Sequence, residues 1–196
     1  MQSIAELLHK HEGEEAWLFG KGPSLDGFEF DLAGPLRICI NESLLIVPAP
    51  TYFFAHDEVP IQRVAAQWPA SCRAILQPVR GSRAERCGIP SDSIFTYEKR
   101  ERELAILDWP PEKLAQKACL LGLTGTAHSA IHFCRLIGAT SLVFVGMDCG
   151  GGYARCVGLP TPLGGGQHDV IRRDSVTIAT RLGLRFRFAA AATATR

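Results

Sequence analysis

Gly20, Lys21, Gly22, Pro23 and Ser24 stand directly after the apolar run of residues 16–19. Glycines let a backbone come close to an anion, and free N–H groups in such a loop can cradle phosphate. The run is neither GxGxxG nor a Walker A loop, and a plain tight turn would use the same residue types. Thr124, Gly125 and Thr126 open a helical pattern. Their hydroxyls and the unpaired N–H groups of a first helical turn suit an anion, and would serve equally as ordinary caps. Asn41, His56 with Asp57, and Asp148 each close a β-rich run. His168 follows a glycine-rich stretch and begins the last helical pattern. A histidine titrates near neutrality, so it could act as a general base, pair with a phosphate, or simply begin the helix. The glycines before it suggest a segment able to close on a ligand. His128 and His132 have the i, i+4 spacing that can hold zinc, but no third ligand is evident and core or surface histidines fit better. Cys149 and Cys156 flank a glycine-rich turn beside Asp148 without a second cysteine pair, so no metal site is expected.

These residues can act together only if the fold gathers them. Short β-rich runs alternate with helical patterns, which predicts an α/β protein: a Rossmann-like, mostly parallel sheet with helices on both faces. Strands are expected over residues 16–19, 36–40, 51–55, 73–77, 93–97, 141–145 and 184–188, and helices over 3–11, 59–68, 126–137 and 169–182. In such a sheet, ligands bind beyond the carboxyl ends of the strands. The residues singled out above fall at those ends, and the first strand is expected near the sheet centre. Residues 1–196 read as a single domain. Within it, the charge run at 99–103 and Trp109-Pro110-Pro111 mark 98–123 as a surface excursion or a lid, and 189–196 as a frayed tail.

Composition narrows the function classes. Of 196 residues, 46% are apolar and 21% charged, the profile of a globular chain. Lys and Arg number 21 against 20 for Asp and Glu, which argues against a chain built to coat nucleic acid. No apolar run approaches the length of a membrane span. Residues 1–15 lack the apolar core of an export signal, and the seven cysteines form no CxxC pair. These features predict a cytoplasmic protein with reduced thiols; an oligomer is left open.

Taken together, the chain resembles a superfamily containing bacterial CMP-sialic-acid-dependent sialyltransferases and related uncharacterised proteins, along with archaeal-type hydroxymethyldihydropterin diphosphokinases. The resemblance lies in Leu18-Phe19-Gly20-Lys21-Gly22-Pro23-Ser24-Leu25, in Cys39-Ile40-Asn41, in the block from Gly125-Thr126-Ala127 through a helix to Val145-Gly146-Met147-Asp148, and in Gln167-His168-Asp169 before the final helix. Lys21 stands where the transferases carry Asn. The resemblance implies a nucleotide-sugar-binding, glycosyltransferase-like protein of the metal-independent sialyltransferase type, needing no cofactor. It implies that His168 deprotonates the acceptor, and that Lys21, Ser24 and residues 124–126 hold the leaving phosphate. Asn41 would contact a nucleotide of CMP type, and Tyr153 is the tyrosine nearest the role of phosphate holder. A pterin-type diphosphokinase would instead use Asp57 and Asp148 to hold Mg2+ on ATP. A non-catalytic nucleotide-binding relic of the fold is the third reading.

Overall fold

The computed structural model describes residues 1–148, 152–159 and 166–189, with only the backbone at 166–168. In chain order its strands are β1 (Gln2–Ser3), β2 (Glu15–Phe19), β3 (Arg37–Ile40), β4 (Tyr52–Phe54), β5 (Arg73–Leu76), β6 (Ile94–Thr96), β7 (Glu98–Glu101), β8 (Cys119–Gly122), β9 (Ser141–Val145) and β10 (Arg185–Phe188). The α-helices are α1 (Glu58–Ala65), α2 (Pro78–Arg86), α3 (Pro111–Lys117), α4 (Thr126–Leu136) and α5 (Gly166–Arg181). Eight strands form one all-parallel sheet in the order β1-β6-β5-β4-β3-β2-β9-β10.

Side chains alternate between the two faces of this sheet, as the period of two demands. In β2, Ala16 and Leu18 join one core, while Trp17 and Phe19 join the other. The first core also takes Leu114 of α3, most of α4 and Ile178 of α5; the second takes Ile61 and Val64 of α1 and Ala84 of α2. Helices therefore cover both faces. Strands buried on both sides read as continuous apolar runs, which is why β2 and β9 were legible. Each fully buried Leu or Phe side chain contributes about 1.5–3 kcal/mol through apolar burial.

From β2 the chain steps outward through β3, β4, β5 and β6, then returns to place β9 on the other flank of β2. The point where the order reverses lies between β3 and β9, at the end of β2. This strand is third from the β10 edge rather than central, because only β9 and β10 lie on that flank.

Residues 98–123, read as a surface excursion or a lid, are exposed in part but also contribute to the core. Exposed positions such as Glu98, Asp108, Glu112 and Lys117 alternate with buried ones, and Ile106, Leu107, Leu114, Cys119, Leu120 and Leu121 belong to the first core. At Tyr97 the chain changes partners. Its amide still donates to Leu76 O, whereas Glu98 N donates to Ala118 O and begins a second, two-stranded parallel sheet of β7 and β8. Two other differences are local. Residues 3–11 hold a single 3-10 turn, Ile4–Leu7, with a Ser3–Glu6 capping box. Helix α2 buries only Gly81 and Ala84, so it shows no apolar stripe in sequence. No helix among the described residues is long and apolar enough to cross a membrane. The six described cysteines are free thiols; Cys149 and residues 190–196 lie outside the described residues.

Candidate functional site

A cavity of about 150 Å³ opens at the carboxyl ends of β2, β3 and β9, where the strand order reverses. Gly20, Lys21 and Gly22 line it from β2, Ile40 and Asn41 from β3, and Gly146 and Met147 from β9. Gly125, Thr126 and Ala127 of the α4 start, Gly152 and Tyr153, and Ile171 of α5 complete the wall. The structure thus brings together seven of the residues read as a site: Gly20, Lys21, Gly22, Asn41, Gly125, Thr126 and Tyr153.

The glycine loop works differently from a phosphate cradle. Gly20 N donates to Val145 O at 2.8 Å and Gly22 N to Gly146 O at 2.6 Å. Those amides are used up by β9. A Cβ on Gly20 would sit 2.4 Å from Gly146 O, and one on Gly22 would sit 2.8 Å from it. Here glycine is required by the close approach of two main chains. Gly146 itself has φ +66, a left-handed conformation that favours glycine.

Ser24 and Asp148 form a brace between the same two loops. Ser24 N donates to Asp148 Oδ2 at 2.7 Å, Ser24 Oγ donates to Asp148 Oδ1, and Ser24 Oγ accepts from Gly146 N at 2.9 Å. Neither residue lines the cavity, and Pro23 only starts the 3-10 turn Pro23–Leu25. Thr124 lines a neighbouring cavity instead. The phosphate-facing role expected of these four residues is therefore not the one their contacts show.

The remaining polar groups at the cavity are a cation, an amide and a helix start. Lys21 Nζ lies 2.8 Å from Glu42 Oε2 and 4.2 Å from the centroid of the Tyr153 ring. Glu42 is buried and also bonded by Arg63 at 2.8 Å. Burial pushes the Glu42 carboxyl up, but the bonds and charge of Lys21 and Arg63 outweigh it, and Glu42 stays below the usual carboxylate range. Two cations against one carboxylate leave this corner positive. Asn41 has φ +56, and its buried Oδ1 has no hydrogen-bond partner among the described residues. The first turn of α4 presents Thr126 and Ala127, whose N–H groups have no intrahelical acceptor. The helix dipole makes that end favourable for negative charge.

Other expected residues fall elsewhere. His56 Nε2 is 3.0 Å from Tyr97 Oη and 3.1 Å from Ser129 Oγ. Burial, helped by Lys99, His128 and Arg80, pushes its ring down to about 4, so it is neutral at pH 7. Asp57 is exposed at the start of α1. Neither lines the cavity. His168 lies in the first turn of α5, three positions before Ile171, about 4.5 Å along the helix axis; its side chain is outside the described residues.

His128 and His132 are buried structural groups. His132 Nδ1 accepts from Leu121 N at 2.9 Å, and His128 Nδ1 accepts from Gly125 N at 3.3 Å. No group of three or more His, Cys, Asp or Glu residues able to hold a metal ion occurs among the described residues. Sequence reasoning missed Met147 and Ile171 in the cavity wall and Glu42 behind it. Met147 was signalled by its place beside Gly146; Ile171 is one apolar helical residue among several and gave no signal. No protein-family model matches the chain, and no similar curated protein is found.

Proposed function

We propose that the protein binds the phosphate-bearing part of a nucleotide or nucleotide sugar in the cavity at the end of β2, as a glycosyltransferase-like protein. The observation that carries this reading is the convergence at one strand-order reversal of the α4 start, the Lys21 ammonium and the Asn41 Oδ1, which has no partner among the described residues. The helix start and Lys21 suit a phosphate; the buried Asn41 acceptor suits a donor group on a base or ribose. Tyr153, beside Lys21, lines the same cavity.

In the transferase form of this reading, His168 removes the proton from an acceptor hydroxyl. That oxygen attacks the anomeric carbon, the bond to the phosphate oxygen breaks, and the leaving phosphate gathers charge at the α4 start. The Mg-ATP alternative has less support. Asp148 spends both oxygens on Ser24, and Asp57 does not line the cavity. The test is a calorimetric titration with CMP, other nucleoside monophosphates and CMP-sugars, with and without Mg2+. Saturable, Mg2+-independent binding of a nucleotide supports the reading. Binding seen only for ATP with Mg2+ would favour the diphosphokinase, and no binding of any nucleotide would refute the site.

A further inference from the structure

A second cavity, of about 410 Å³, lies against the first. The loop between β8 and α4 divides them: Thr124 faces the second, Gly125 and Thr126 the first. Helix α5 runs past both, with Ile171 at the first and Ile178, two turns further, at the second. Leu104, Leu107, Leu123 and Ile178 supply its apolar wall. Leu104 is 46% exposed. The volume and the mostly apolar lining with a few polar groups are those of a small-molecule site.

The charges around it are not evenly matched. Along β7 and just after it, Lys99 pairs with Glu101 at 3.0 Å, and Arg100 pairs with Glu98 at 3.1 Å and Glu103 at 3.9 Å. Arg181, at the cavity, makes a two-pronged bond to Asp108 at 3.0 and 2.6 Å. Asp174, also at the cavity, is within 3.4 Å of Arg173. Arg102 lines the same cavity and has no ion pair among the described residues. Arg102 feels the nearby Glu101 carboxylate without forming an ion pair among the described residues, and an apolar chamber with such a guanidinium selects for an apolar body carrying one negative head.

We propose that this second cavity is a binding site for a small amphipathic anion, with its apolar body against Leu107, Leu123 and Ile178 and its carboxylate, sulfonate or phosphate at Arg102. The site does not depend on nucleotide binding next door, though the two ligands would lie side by side across residues 124–126.

The probe is 8-anilinonaphthalene-1-sulfonate, followed by its fluorescence on the native protein at pH 7. Its neutral counterpart, N-phenyl-1-naphthylamine, serves as the control. Saturable one-to-one binding of the sulfonate is expected. Arg102→Gln should weaken the sulfonate about 3- to 10-fold and leave the neutral probe unchanged. Thr177→Phe, at an exposed position of α5 that lines the cavity, should fill the chamber and abolish both. Circular dichroism and melting temperature confirm that each variant is folded. Sulfonate binding that is unaffected by both substitutions would overturn the proposal. So would displacement of the probe by nucleotide without sensitivity to Thr177→Phe, because the probe would then occupy the first cavity. Should either variant fail to fold, equal affinity of the wild type for the charged and neutral probes would refute the role of Arg102. Failure to bind nucleotide, by contrast, would leave this site untouched.

Discussion

At Asn41 the chain holds a buried side-chain acceptor with no partner among the described residues and a backbone in the left-handed region, two costs a fold does not accumulate without return. Asn41→Gly keeps the backbone conformation and removes only the amide. Its nucleotide affinity should fall about 10-fold, the worth of one buried hydrogen bond, with melting temperature nearly unchanged, as calorimetry and thermal denaturation would show. Gly22→Ala tests the opposite kind of residue. Its Cβ would lie 2.8 Å from Gly146 O and 3.0 Å from Asp148 Oδ1, so the two loops must part. Overpacking of this sort costs about 1–3 kcal/mol, a drop of about 3–10 °C in melting temperature. An unchanged melting temperature would show that the loops yield freely. The sequence made both residues visible as candidates, but not their division of labour. Nothing local to Gly20-Lys21-Gly22 reveals that Val145 and Gly146, over a hundred residues later, accept from the two glycine amides. For His168, His168→Ala should leave nucleotide affinity intact and lower CMP release from a CMP-sugar about 10²- to 10⁴-fold, the usual worth of a general base. Equal rates would remove it from the mechanism.

Among the elements, α4 does the most unexpected work. Its residues are buried nearly all round, polar ones included, because Ser129 and His132 replace a missing strand neighbour for β8. Ser129 Oγ donates to Leu121 O at 2.8 Å while His132 Nδ1 accepts from Leu121 N at 2.9 Å. Two side chains at i, i+3 thus satisfy both backbone groups of one residue. Burial, with Arg135 adding to it, pushes the His132 ring down to about 4. His132→Gln keeps an acceptor for Leu121 N and removes the titration. The slope of stability against pH between about 6.5 and 4 should then flatten by one proton's share, about 1.4 kcal/mol per pH unit. Denaturant unfolding at several pH values would measure it, and an unaltered slope would mean that His132 takes up its proton in the folded state. This arrangement also explains where the sequence misled. The apolar run of β8 is four residues long and β7 is wholly charged, so neither shows strand periodicity; their pairing is a backbone matter. Strands β2, β3 and β9 were readable because both faces bury side chains, and the helix at 126–137 because its small first residues mark a start.

The whole molecule carries buried neutral histidines in its first core and at its edge. His56 and His132 are held down to about 4, and burial lowers His128 as well. Unfolded histidines titrate near 6.5, so the unfolded chain binds more protons than the folded one between 6.5 and 4. Stability is therefore full above about pH 6.5 and falls as the pH drops towards 4. For His56 and His132 the loss is on the order of 2–3 kcal/mol each, a large part of the roughly 5–15 kcal/mol that holds a domain folded. Melting temperature should drop steeply over that interval, and a flat profile from pH 7 to 4 would contradict the assignment. The strand order has a further consequence, for the order of events during synthesis. β2 pairs with β3 almost at once, but its other edge waits for β9, with Glu15 opposite Ser141. Until then the growing chain displays the unpaired edge of Ala16-Trp17-Leu18-Phe19, an open template for another chain's strand. The ribosome must deliver β9 before that edge closes, and the cavity at the end of β2 waits longer still, for Tyr153 and Ile171.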